Sequence, residues 1–349
     1  MPLHNSHPPL LFLLLLLLLP SSLPLSAPIA VSAPIAVSGA TGRVGSLVVS
    51  SLLASNATVL ALVRDPRRVS GQPWADHPSL TVLQADLLKP LPAPVLEALP
   101  RVSSLIYCAS GFTDASSTSA RSRLSRLLRV ALRPASSVDA AAVEKLAVAA
   151  GPGAHVVMCS SAGVTRPGWS EEKKRSLAGC ADIPIVRLNP FKILSLKLSA
   201  EDALRALPCR STVVRPAGLS DAHPSGSRPV LSQGDVAVGR ISRKDLAGVL
   251  VACARAPDAC EGKTFEVLTV PGLPPPTELA PQLAALSREP PGEEAVAASY
   301  RLLQQLVPGK ALAPERLALG QTYEKLDRGE GGRFGERGRE NTGMAISER

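Results

Sequence analysis

Short apolar runs recur along the chain at Pro34–Ser38, Thr58–Val63, Leu80–Ala85, Ser104–Cys108 and His155–Cys159, with amphipathic or turn-rich stretches between them. Runs this short, bounded by turn-forming residues, read as buried strands. Ser46–Ala54 and Val138–Ala150 carry apolar positions at helical spacing. Further on, Ser211–Arg215 is a β-branched strand closed by Pro216, Ser242–Arg255 is helical with Ser242 placed as its N-cap, and Thr264–Val270 supplies a last strand. Strands alternating with helices require right-handed crossovers and a parallel sheet. The pattern therefore predicts an α/β, doubly wound domain over residues 34–270. Beyond Pro271 the chain turns proline-rich, Pro281–Ser287 and Glu293–Leu306 read as short helices of an extension reaching 327, and residues 328–349 are rich in Gly, Arg and Glu. That tail has too little apolar surface to offset the cost of ordering it, so disorder is expected there.

Composition narrows the class. The 349 residues are enough for one sizeable core, and they are 45% hydrophobic but only 3% aromatic, as helices packed closely on a parallel sheet require and an all-β sandwich does not. The net charge of +9 raises nucleic acid and acidic membranes as partners. The basic residues are scattered, however, with clusters at 64–68, 121–133 and 173–175 and no interleaved aromatic residues to stack on bases, so no nucleic-acid partner is expected. Between the fourth strand and the next helix, the insert Thr113–Ser137 sets Leu124, Leu127 and Leu128 among Arg121, Arg123, Arg126 and Arg129. A solvated helix docked by its leucines is the favoured reading, and peripheral contact with an anionic membrane is the alternative. At the N-terminus, residues 1–33 carry the run Leu10–Leu19, which ends at Pro20 and falls short of the roughly 20 residues a spanning helix needs. This is the shape of a signal or targeting leader, and no transmembrane helix is expected in the mature chain. Ala27–Ser32 is repeated verbatim as Ala33–Ser38, the second copy being the first strand.

The first strand runs directly into Gly39-Ala40-Thr41-Gly42-Arg43-Val44-Gly45 and then a helix. A glycine-rich turn in that context lets backbone amides and a helix N-terminus approach a pyrophosphate, which marks a Rossmann-type dinucleotide site. The second strand ends Leu62-Val63-Arg64-Asp65-Pro66, where the adenosine ribose of a dinucleotide lies. An acid there binds a free 2′-hydroxyl, whereas Arg pairs with a 2′-phosphate. Arg64 comes first, so NADP(H) is expected over NAD(H), and Asp65 is expected to cap the turn at Pro66. Asp86, after the third strand, has two readings: a contact to the adenine amine or a cap on the next turn. None of the six cysteines forms a CxxC pair, so neither a metal site nor a disulfide framework is expected, and the thiols read as small buried hydrophobes in a reducing compartment.

The segments 37–45, 62–66, Ala85-Asp86-Leu87, Val157-Met158-Cys159-Ser160-Ser161, Val213-Val214-Arg215-Pro216-Ala217-Gly218-Leu219 and Ile241-Ser242-Arg243-Lys244-Asp245-Leu246-Ala247 resemble, in order, the motifs of the atypical short-chain dehydrogenase/reductases, the NmrA-like NAD(P)-binding group common in plastids. The resemblance implies cofactor contacts from Gly39, Thr41, Gly42, Arg43, Val44, Gly45, Arg64, Asp86, Leu87, Ala109 and Lys197. It also implies a catalytic Ser at Ser161 or Ser160 and a catalytic Lys at Lys197, within Ile193–Glu201. Lys197 has a second reading, pairing with Glu201 one helical turn on. The family's proton-transferring Tyr position holds Ile193, and the three tyrosines, Tyr107, Tyr300 and Tyr323, lie elsewhere. Two functions follow: an NADP(H)-dependent oxidoreductase acting on a small or lipophilic substrate, or a non-catalytic NADP(H)-binding scaffold or redox sensor acting on a protein partner. The leader on such a fold points to a plastid reached by the secretory route, with the secretory lumen as the alternative; Asn56-Ala57-Thr58 is a glycosylation sequon that would matter there.

Overall fold

The structure is a computed structural model, and it describes residues 33–110, 138–181, 183–189 and 192–305. The leader, the insert at 113–137 and the tail at 328–349 lie outside the described residues. The central strand β1 (Ile35–Ser38) pairs in parallel with β2 (Val59–Val63) on one side and β4 (Ser104–Tyr107) on the other, and β3 (Leu80–Gln84) flanks β2. Beyond β4 the sheet continues through β5 (His155–Cys159), β6 (Arg210–Pro216), β10 (Thr264–Val270) and β8 (Arg228–Ser232), giving the order β3-β2-β1-β4-β5-β6-β10-β8. A separate parallel pair joins β7 (Gly218–Leu219) to β9 (Arg240–Ile241).

All ladders of the large sheet are parallel except the last, where β8 runs antiparallel to β10 and sets Pro229 opposite Thr269. The sheet is thus mostly parallel, as the doubly wound reading expects, with one antiparallel strand at its edge. Proline has no N–H to donate, so Pro229 inside β8 suits an edge strand.

Successive strand residues point to opposite faces, and two cores result. Helices α1 (Gly45–Ala54) and α8 (Arg243–Arg255) cover one face, packing Val48, Leu52, Leu246 and Leu250 on Val37, Ala61, Ile106 and Phe265. On the other face α2 (Ala93–Ala98), α3 (Val138–Ala150) and α7 (Ile193–Ala206) pack Val95, Leu146, Ala200 and Leu204 on Ala36, Leu60, Leu105 and Met158. Each fully buried Leu or Val there contributes about 1.5–3 kcal/mol relative to exposure. Ser242 caps α8 as the sequence predicts, its hydroxyl accepting from the Asp245 N–H at 3.0 Å.

Between β5 and α7 lie the short helices α4 (Glu171–Ser176), α5 (Ala178–Ala181) and α6 (Pro184–Leu188). A fully buried Arg166 pins this region to the loop after β8, donating to the carbonyls of Asp235, Cys180 and Ala237 at 2.7–2.8 Å. The short helix α9 (Pro257–Cys260) follows α8 and buries Cys260, and after β10, α10 (Ala280–Ala284) and α11 (Glu293–Gln305) bury Leu283 and Val296. Among the described residues no helix is long and apolar enough to cross a membrane, and no group of three or more His, Cys, Asp or Glu side chains is placed to hold a metal ion.

Candidate functional site

From β3 the chain crosses back past β1 to form β4, so the strand order reverses between β1 and β4. Such a reversal opens a crevice outside the carboxyl ends of the strands. A cleft of about 640 Å³ lies there, lined by the glycine turn, the ends of β2, β3 and β4, the start of α3, and Leu219, Asp221 and Arg243 from the C-terminal half. That volume suits a cofactor or small-molecule ligand.

The turn that forms its floor is tight because Gly39, Gly42 and Gly45 carry no Cβ. Gly42 N–H donates to the Gly39 carbonyl at 2.8 Å, and Ser46 N–H donates to Gly42 at 2.9 Å. Gly39 has φ +72°, and a Cβ on it would meet the backbone of Ala109 at 2.9 Å. A Cβ on Gly45 would lie 2.2 Å from the Gly39 carbonyl oxygen, so this position takes only glycine if the turn keeps its shape. The α1 N-terminus has no side-chain cap, so no capping side chain competes with an anion there.

The cleft is strongly cationic. Arg43, Arg64, Arg68 and Arg243 all line it, and Arg68 Nη2 donates to the Thr41 carbonyl at 3.2 Å, tying the turn after β2 to the glycine turn. Asp65, as expected, caps that turn, accepting from the Arg67 N–H, and its carboxylate is held by the Arg67 guanidinium at 2.9 and 3.0 Å. That hydrogen-bonded partner lowers the Asp65 pKa below the ordinary carboxylate value. Across the cleft Asp221 bridges Arg243 and Arg43, and the Arg243 bond chiefly lowers its pKa. Asp86 lines the cleft, and its carboxylate accepts from Leu88 N–H at 3.1 Å, which is the cap of the next turn.

The predicted residues Gly39, Thr41, Gly42, Arg43, Val44, Arg64, Asp86, Leu87 and Ala109 come together as cleft lining. Gly45 sits just behind, as a packing requirement of the turn. Ser161 and Lys197 do not line the cleft. Ser161 donates to the Ala162 carbonyl at 3.1 Å, and Ser160 is committed to Glu201 at 2.5 Å. The pairing of Lys197 with Glu201 is also not the one formed: Lys197 Nζ lies 3.0 Å from Asp139 Oδ1, while Glu201 is held by Arg215 at 2.6 and 3.0 Å and by Arg205 at 2.7 Å. Burial alone would lower the Lys197 pKa, but the Asp139 carboxylate outweighs it and leaves the ammonium above its ordinary value. Ile193 is buried among Val164, Leu194 and the edges of Ile185 and Val186. Tyr107 is buried too, donates to the Val138 carbonyl at 2.7 Å, and is held well above its usual pKa by burial, so it carries no accessible phenol.

Sequence reasoning missed Ser46, Gln72, Ser110, Asp139, Asp221 and Arg243. Ser46 followed the glycine turn directly and was within reach. The rest reach the cleft or its wall only through tertiary packing; the Arg43–Asp221 contact spans 178 residues.

A nicotinamide dinucleotide fits these residues: the glycine turn and the helix N-terminus without a side-chain cap suit a pyrophosphate, and the arginines match further anionic groups. The fold and site thus define a dinucleotide-binding α/β protein. The family pattern of NAD(P)H-binding proteins matches residues 39–257, and the chain belongs to this family, the NmrA-like branch of the atypical short-chain dehydrogenase/reductases. An uncharacterized chloroplastic protein of Arabidopsis thaliana is 28% identical over 218 residues, covering 61% of this chain and 69% of the relative. Among solved structures, a Bacillus halodurans protein assigned as an NAD-dependent epimerase/dehydratase aligns with TM-score 0.53 and 20% identity over 73% of this chain and 100% of its own. An oxidoreductase of Lactococcus lactis aligns with TM-score 0.51 and 16% identity over 74% and 99%. At such identities the likeness is one of fold.

Proposed function

We propose that the chain is an NADP(H)-dependent oxidoreductase whose cofactor lies along the cleft with its 2′-phosphate at Arg64 and Arg68. The observation that carries this reading is the pair of guanidiniums, Arg64 and Arg68, that line the cleft at the end of β2. The glycine turn and the α1 N-terminus hold the pyrophosphate, with Arg43 and Arg243 flanking it. When bound, the cofactor supplies hydride exchange at the nicotinamide ring. Lys197 positions the nicotinamide end from behind the cleft wall, and Ser161 lies on the loop after β5 where a small or lipophilic substrate approaches. Burial of Ile193 at the tyrosine position favours a second reading, an NADP(H)-binding redox sensor that acts through a partner protein. A plastid is the proposed location, on the strength of the leader and the chloroplastic relative.

Calorimetric titration with NADPH and NADH, on the wild type and on Arg64→Ala, tests the cofactor assignment. A charge-assisted bond of about 1.5–3 kcal/mol corresponds to a roughly 10- to 100-fold preference for NADPH, which Arg64→Ala removes while NADH affinity stays constant. Equal affinities for the two nucleotides in the wild type would contradict the assignment.

A further inference from the structure

At its β4 end the cleft is lined by Cys108, Ala109, Ser110 and Val138. A dinucleotide with its adenosine over β2 and β3 brings its nicotinamide to this end. Ser110 Oγ donates to Asp139 Oδ1 at 2.8 Å, and the same oxygen receives the Lys197 ammonium at 3.0 Å. The Asp139 side chain is 1% exposed and that of Lys197 14%, so the carboxylate sits sealed one hydrogen bond behind the wall and the largely buried ammonium one bond further. Besides Asp139, Lys197 faces Cys159 and Glu201. Burial pushes the Cys159 thiol up to about 11, which keeps it neutral, and the carboxylates of Glu201 and Asp202 are matched by the guanidiniums of Arg215 and Arg205. Among the described residues this leaves the Asp139 carboxylate and the Lys197 ammonium, which cancel.

The nicotinamide ring is positively charged when oxidised and neutral when reduced, so an uncompensated charge behind this wall distinguishes the two states. We propose that Asp139 sets the oxidation-state preference of the site: its carboxylate, held between Ser110 and Lys197, cancels the ammonium and admits the positively charged ring. This rests on a nicotinamide dinucleotide occupying the cleft as proposed above. A ring in contact with Ser110 lies about 6 Å from the Asp139 carboxylate, where one unit charge changes affinity about 3-fold at the dielectric constant of water and about 100-fold at an effective value near 20.

The test is calorimetric titration of the full chain with NADP+ and with NADPH, on the wild type, Asp139→Asn, Lys197→Met and the double variant. Asp139→Asn is expected to weaken NADP+ relative to NADPH by about 10-fold, Lys197→Met to shift that ratio about 10-fold the other way, and the double variant to return within about 3-fold of the wild type. A merely structural role lowers both affinities together and leaves the ratio unmoved. Because breaking a buried pair on one side can prevent folding, Lys197→Met and the double variant suffice if Asp139→Asn does not fold. An unmoved ratio, or single variants shifting it in the same direction, overturns the inference and leaves the cofactor assignment intact. A wild type that binds neither nucleotide overturns both.

Discussion

Glu266 is sealed in the middle of β10, and its carboxylate oxygens have no hydrogen-bond partner among the described residues. Its neighbours across the sheet are Arg215, which is engaged by Glu201, and Ser232. Burial first, and the Asp235 carboxylate second, push its pKa up to about 7, with Arg215 opposing them. The folded state thus prefers the protonated acid. Stability from this preference is complete below the ordinary value of 4.5 and is lost as pH rises through about 7. Glu266→Gln carries no charge at any pH, so its melting temperature is expected to match the wild type near pH 5 and to exceed it near pH 8. A constant difference between the two pH values would show that Glu266 is not protonated in the fold. Residues of this kind show why parts of the site were hidden. Lys197 and Glu201 stand at ideal helical spacing for each other, yet Arg215 takes Glu201 from β6 and Asp139 takes Lys197 from α3. Local spacing proposes a pair, and burial beside a better-placed partner decides it.

The element that makes the cleft is the β1–turn–α1 unit, and Gly45 is its tightest point. Gly45→Ala places a methyl carbon against the Gly39 carbonyl, so the turn must open. The expected result is a loss of at least about 2 kcal/mol in stability and at least about 10-fold in NADPH affinity, measured by denaturant unfolding and calorimetry. Gly248→Ala on α8 is the control, since nothing lies within 4 Å of the added carbon, and it is expected to gain about 0.5–1 kcal/mol. Equal effects of the two substitutions would remove the steric argument. This unit was legible because strand, turn and helix are contiguous in sequence, and the same holds for α3 and for β10 with their predicted bounds. The edge strand β8 was not legible, because Pro229 breaks the pattern of a strand and only its pairing with β10 makes it one. Nor were β7 and β9, two residues each, which exist through one another.

Across the whole molecule, the two halves of the sheet contribute to the cleft in different ways. The N-terminal half supplies the turn and Arg64, which can be read from the sequence because they follow their strands directly, and Arg68, which the turn at Pro66 brings back onto Thr41. The C-terminal half supplies Asp221 and Arg243, which reach the same cleft from the loop after β7 and the start of α8. Four of the chain's basic residues, Arg43, Arg64, Arg68 and Arg243, gather around the cleft. The proposed function requires that cleft to be a nicotinamide-dinucleotide site. The direct test is a titration of the protein with NADPH, followed by the fluorescence of the reduced nicotinamide and by the melting temperature. Saturable binding of one nucleotide per chain is expected, with stabilisation of about 2.7 kcal/mol at a hundredfold excess over Kd. No saturable binding of NADPH or NADH, with an unmoved melting temperature, would contradict it.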